Sequence, residues 1–156
     1  MHERIRAIFA QQPLVHRVWE HAHAPTPIRS PADFAAFSGI PRERIAKTLF
    51  LAVHGGAQPY ALAVCAITAQ LDLAAVARLL AATSATLGSR QALAEQLGYP
   101  PHGVSPLGAG AIPVLLDEQL FAHPTIAIGA GQAGVEIELA PDDLATLSGG
   151  RRGQLV

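Results

Sequence analysis

Apolar residues along the chain change period several times, and each change marks an element. In residues 2–12, HERIRAIFAQQ, Ile5, Ile8 and Phe9 fall on one helical face, and Pro13 ends the run. Residues 14–20, LVHRVWE, alternate weakly and predict a strand. Ser30-Pro31 opens a helix over SPADFAAFSG that Gly39 closes. Residues 46–54 (AKTLFLAVH) and 59–67 (PYALAVCAI) flank the turn GGAQ and predict a β-hairpin. LDLAAVARLLAA carries leucines at helical spacing behind Asp72, and SRQALAEQLG has a serine cap and a closing Gly98. A Pro/Gly-rich loop, YPPHGVSPLGAGA, leads to the strand IPVLLD. TIAIGAG and VEIELA predict two more strands around a glycine-rich turn. PDDLATLS is a last short helix, with Asp142 and Asp143 placed to meet its dipole, and residues 149–156 read as a short, partly loose tail.

Helices and strands interleave, with hairpins among them, which predicts an α/β fold with a mixed sheet rather than a parallel doubly wound one. GAGQAG has the dinucleotide-binding spacing, but a strand rather than a helix follows it, so it reads as a hairpin turn.

A chain of 156 residues that is 50% hydrophobic and 15% charged predicts one domain over 1–156 with its own core, residues 1–20 forming a helix and lead-in. No apolar run approaches the ~18 residues of a membrane helix. The charged N-terminus, MHERIRAIFAQQP, lacks a signal-peptide pattern, and a single cysteine suits the reducing cytoplasm. A net charge of −1 argues against broad nucleic-acid binding, though not against reading one nucleotide at a chain end.

Candidate chemistry is sparse. Lys47 is the only lysine, and strand periodicity places it on one face with Leu49, Leu51 and Val53, at the mouth of a core strand. An ammonium there either snorkels to water or faces a cleft. The loop 100–110, PPHGVSPLGAG, offers backbone N–H groups to a carbonyl, carboxylate or phosphate. His21-x-His23, with His16 nearby, lacks a completing Cys or carboxylate, so no metal is expected. Cys65 reads as a small buried hydrophobe, and Ser105 is not in a nucleophile elbow.

An ordered set of segments resembles the YbaK/ProX family of trans-acting aminoacyl-tRNA deacylases, relatives of the editing domain of bacterial prolyl-tRNA synthetase. The segments are IAKTLFL at 45–51, LGY at 97–99, GVSPLG at 103–108, IPVLLDE at 112–118, GAG at 129–131 and LAPDDL at 139–144. The match runs over roughly residues 20–148. The resemblance implies a mixed, barrel-like β-sheet surrounded by helices. It implies hydrolysis of the ester joining a wrong amino acid, such as Cys, Ala or Ser, to the 3′ end of a tRNA, commonly that for proline. No cofactor is implied; the implied partners are the aminoacyl-adenosine end of tRNA and prolyl-tRNA synthetase. Lys47 falls on the family's essential lysine. The family's Gly-x-x-x-Pro loop falls on residues 102–106, with His102 in place of the first glycine. Substrate contacts are thereby implied for His102, Gly103, Val104, Ser105, Pro106, Gly108, Gly129 and Gly131. An aminoacyl ester is already reactive, so placed water, positive charge and N–H donors suffice without a protein nucleophile. The alternative is a non-catalytic relative that binds an aminoacyl-nucleotide end or a partner synthetase.

Overall fold

Local sequence signals set the helix ends. In the computed structural model, which describes residues Met1–Val156, α1 spans Glu3–Gln11 and buries Ile5 and Phe9. α2 spans Pro31–Ser38; the Ser30 side chain accepts from the Asp33 N–H, and Gly39 ends the helix in the left-handed region. α3 (Leu73–Leu79) and α4 (Arg90–Gln96) are capped in the same way by Asp72 and Ser89. α5 spans Pro141–Ser148 with Asp142 and Asp143 in its first turn. No helix is long and apolar enough to cross a membrane.

The strands are β1 (His16–Glu20), β2 (Ala46–His54), β3 (Tyr60–Ala66), β4 (Ser84–Leu87), β5 (Val114–Asp117), β6 (Ile126–Gly129), β7 (Val135–Leu139) and β8 (Arg151–Gly153). They form two sheets, one ordered β1-β7-β6 and one ordered β4-β2-β3-β5-β8. The first is antiparallel throughout. The second joins the predicted β2–β3 hairpin to parallel β5 and β8.

This corrects the barrel-like expectation. Only one isolated bridge, Ile45 to Ala127, links the sheets, so they are not closed into a barrel. They face each other instead. Phe50, Leu62, Val64 and Leu116 of one sheet and Ile126, Ile128, Ile137 and Leu139 of the other share a core with residues of α1, α4 and α5. The outer face of the five-stranded sheet packs Leu51, Ala63 and Leu115 against α3. On the outer face of the three-stranded sheet, Trp19 and Ala127 pack against Phe34 of α2, with Ile40 and Ile45.

The C-terminal residues are not a loose tail. β8 pairs with β5, Leu155 is fully buried, and its N–H donates to Asp117 Oδ1 at 2.9 Å. β4, for which the sequence carries no clear alternation, runs antiparallel to the second half of β2.

Candidate aminoacyl-ester site

The alternation of VEIEL on β7 turns Val135, Ile137 and Leu139 into the main core and sends Glu136 and Glu138 to the opposite face. That face reads as solvent in the sequence, but α2 covers it. Glu138 is fully engaged there: its carboxylate accepts from Trp19 Nε1 at 3.1 Å, from Thr125 Oγ1 at 2.6 Å and from Arg44 Nη2 at 3.2 Å.

Beside Glu136 opens a cleft of about 690 Å³. Its apolar wall includes Ile28, Phe34, Ile45 and Ile67, and its polar groups include His21, His102 and Glu136. Such a mainly apolar concavity with a few converging polar groups is the usual form of a small-ligand site. Burial pushes the Glu136 carboxyl up to about 8 and pushes the His21 imidazole down. Both groups are therefore largely uncharged at neutral pH when the cleft is empty.

Among the residues implied by the family motif, His102 lines this cleft directly. The others build the frame that holds it. A Cβ on Gly103 would lie 2.6 Å from the Gln132 carbonyl carbon, and one on Gly129 would lie 2.4 Å from the Val104 carbonyl oxygen. These two glycines let the 100–108 loop lie flat on the β6–β7 turn, whose Ala133 and Gly134 also line the cleft. Ser105 is fully buried and its Oγ accepts from the Leu107 N–H at 3.2 Å. Pro106 is buried beside it. Gly108 and Gly131 have φ of +72° and +73° and pack against Tyr99, whose hydroxyl donates to the Leu107 carbonyl at 2.7 Å.

Lys47 stands just beyond the cleft wall. Ile45, two residues before it, and Ile67, two residues after its cross-strand partner Cys65, both line the cleft. The Ile67 N–H to Ile45 carbonyl bond, 2.8 Å, extends the β2–β3 pairing to this point. The ammonium is half-buried and donates to the Ala69 carbonyl at 2.6 Å. Lys47 is not itself among the lining residues.

His21 and His23 do not act as a pair. They lie on one short 3₁₀ turn; His23 is exposed beside Glu20, while His21 enters the cleft. Cys65 is fully buried, and burial pushes its thiol up, away from thiolate character. Sequence reasoning missed Glu136 and weighed His21 only as a metal ligand. The available signal was a second carboxylate at period two on β7, sharing a face with Glu138.

The fold and the cleft define an editing-type domain. A family model for the aminoacyl-tRNA editing domain matches residues 25–147, and the chain belongs to that family. Its place is with the YbaK-like members, as the motif around Lys47 implied. The solved structures that share the fold include three of similar length to this chain. One is a proposed trans-editing enzyme for prolyl-tRNA synthetase, with a TM-score of 0.82, 22% identity and coverage of 99% of this chain and 98% of that one. Another is a hypothetical protein, with a TM-score of 0.83, 22% identity and coverage of 98% and 99%. The third comes from computational epitope grafting onto scaffold proteins, with a TM-score of 0.82, 25% identity and coverage of 97% and 94%.

Proposed function

We propose that this chain, taken as one editing domain, is a cytoplasmic deacylase that hydrolyses the ester between a wrong amino acid and the 3′ end of a tRNA. The reading favours tRNA for proline carrying a small residue such as Cys, Ala or Ser, with prolyl-tRNA synthetase as a possible source of the tRNA. The observation that carries it is the cleft, large enough for an aminoacyl group, lined by His102 of the motif loop and bordered by the strand that bears Lys47. In this reading the cleft holds the amino acid, Lys47 supplies positive charge to the developing oxyanion or the terminal phosphate, and the motif loop supplies N–H donors. Water attacks the ester carbonyl, the acyl–oxygen bond breaks, and the ribose oxygen takes up a proton. The low net charge fits delivery of tRNA by a partner better than strong unaided binding. Incubation with a panel of misacylated tRNAs, following amino-acid release, tests the reading; no release from any member overturns it.

A non-catalytic binding module is the second reading. The observation that favours it is the Lys47 ammonium, which is bonded to the Ala69 carbonyl rather than pointing into the cleft. The same panel separates the two.

His102 bears on the choice of substrate. His102 is exposed at the rim of the cleft it lines, and a glycine there would carry no side chain to narrow it. His102→Gly is expected to raise relative activity toward bulkier aminoacyl groups, by up to the ~10–200-fold that one methylene's worth of fit can supply. Relative deacylation rates across the panel, for both proteins, check this. An unchanged rank order would mean that the imidazole takes no part in selection.

A further inference from the structure

Two carboxylates leave β7 on the same face, two residues apart, and they differ in every respect. Glu138 accepts from three side-chain donors. Glu136 has no hydrogen-bond donor, although its side chain is only one-fifth exposed. Its nearest polar neighbour is His21, whose Nε2 is buried and also unpartnered. The two groups stand 3.7 Å apart, Nε2 to Oε1, beyond hydrogen-bond range. Buried polar atoms normally find partners, and the orphaned His21 Nε2, beside a carboxyl with no protein donor, calls for a third party.

The rest of the surroundings offers none. Arg29 and His102, the other charged or titratable residues lining the cleft, make no ion pair with Glu136. From α2 the facing residues are Pro31 and Phe34, which carry no charge. Arg44 is held by Glu138 and by Thr125.

Resting on the deacylase reading, we propose that His21 and Glu136 form the subsite for the α-ammonium group of the aminoacyl ester. An ammonium nitrogen placed between Nε2 and Oε1 reaches both at the ~2.8 Å of a charge-assisted hydrogen bond. Its third N–H is left for a water or a backbone carbonyl. When the α-amine arrives uncharged, the Glu136 O–H bond breaks and the proton moves to the amine nitrogen, giving the carboxylate–ammonium pair. When it arrives as ammonium, the Glu136 proton leaves to solvent. In either case the charge on the carboxylate is met by its counter-ion.

The subsite confers a selectivity that a merely apolar pocket lacks. An N-acylated ester, the form found at the end of a growing peptide, has an amide in place of the ammonium. It offers one donor and no charge, and it leaves Glu136 and His21 unsatisfied. The protein therefore spares peptidyl esters while hydrolysing aminoacyl esters.

The test uses stable amide probes: the alanyl, seryl and prolyl derivatives of 3′-amino-3′-deoxyadenosine, each with a free or an N-acetylated α-amine, titrated calorimetrically. Wild-type protein is expected to bind the free-amine form at least ~10-fold more tightly than the acetylated form, the least that one charge-assisted hydrogen bond supplies. Glu136→Gln is expected to abolish that preference and to fold normally, because the native carboxyl has no partner to lose. Equal binding of both forms by the wild type, no binding of any probe, or a preference that survives both Glu136→Gln and His21→Ala overturns the proposal. The misacylated-tRNA panel separates this from the reading beneath it. Hydrolysis with no α-amine preference sinks the subsite alone. An α-amine preference with no hydrolysis leaves the subsite standing and sinks the deacylase.

Discussion

Lys47→Ala is expected to lower aminoacyl-ester hydrolysis by about 10²–10³-fold while the protein stays folded. The effect on rate follows from position and from scarcity. Lys47 is the only lysine, and its chain neighbours Ile45 and Ala46 line the cleft. An ammonium on four rotatable bonds can leave the Ala69 carbonyl when a phosphate or oxyanion offers a stronger partner. The effect on stability is small because the alanine variant loses one half-buried hydrogen bond, a net ~0.5–1.5 kcal/mol. Lys47→Arg is expected to recover little, since a planar fork does not replace a compact charge. Single-turnover deacylation and a thermal melt on the same samples decide the matter. Near-wild-type turnover in the alanine variant removes Lys47 from the chemistry.

The second large effect is expected at Gly129, which lies outside the cleft lining. Gly129→Ala places a methyl group 2.4 Å from the Val104 carbonyl oxygen and 3.2 Å from its carbon. Both obstacles are backbone, so no side chain can swing aside. Overpacking of this kind typically costs about 1–3 kcal/mol, and each kcal/mol lowers the melting temperature of a chain this size by ~2–4 °C. The loop is also pushed off the β6–β7 turn, which moves His102 relative to Ala133 and Gly134. A 1 Å misplacement costs ~10²-fold in rate, so activity at a temperature well below the melt is expected to fall more than stability does. A melt and a deacylation assay read the two effects separately. A variant with wild-type melting and wild-type rate would show that the loop–turn contact is not what positions the cleft wall.

Much of the fold was legible because its signals are local. Ser30 and Gly39, Asp72, and Ser89 and Gly98 mark helix ends through single hydrogen bonds or a single backbone angle. The β2–β3 hairpin announced itself through two apolar runs around GGAQ. What escaped depends on distant partners. β8 consists of Arg151, Arg152 and Gly153, which have no intrinsic claim to be a strand; it forms because β5 offers a parallel edge and Asp117 anchors Leu155. The separation into two sheets, rather than a closed barrel, turns on a single bridge at Ile45. The family motif placed attention on the 102–108 loop and on Lys47, and His102 does line the cleft. Glu136 stayed hidden because alternation alone assigns it to solvent; only the tertiary placement of α2 turns that face into a wall.

The isolated carboxyl at Glu136 has a consequence for folding itself. Its folded value of about 8 lies above the ordinary 4.5, so between those values the native chain holds a proton that the unfolded chain has released. Folding at neutral pH takes up close to one proton at this position. The sign follows: this contribution to stability is fully present below about 4.5 and is lost as pH rises through 8. Denaturant melts across that range are expected to show the wild type losing stability with rising pH more steeply than Glu136→Gln, whose amide does not titrate; parallel curves would contradict it. A cationic ligand that neutralises Glu136 relieves the same burden. Occupancy is then expected to flatten this one site's contribution to the pH dependence, so that binding and the protonation of Glu136 stand in for each other.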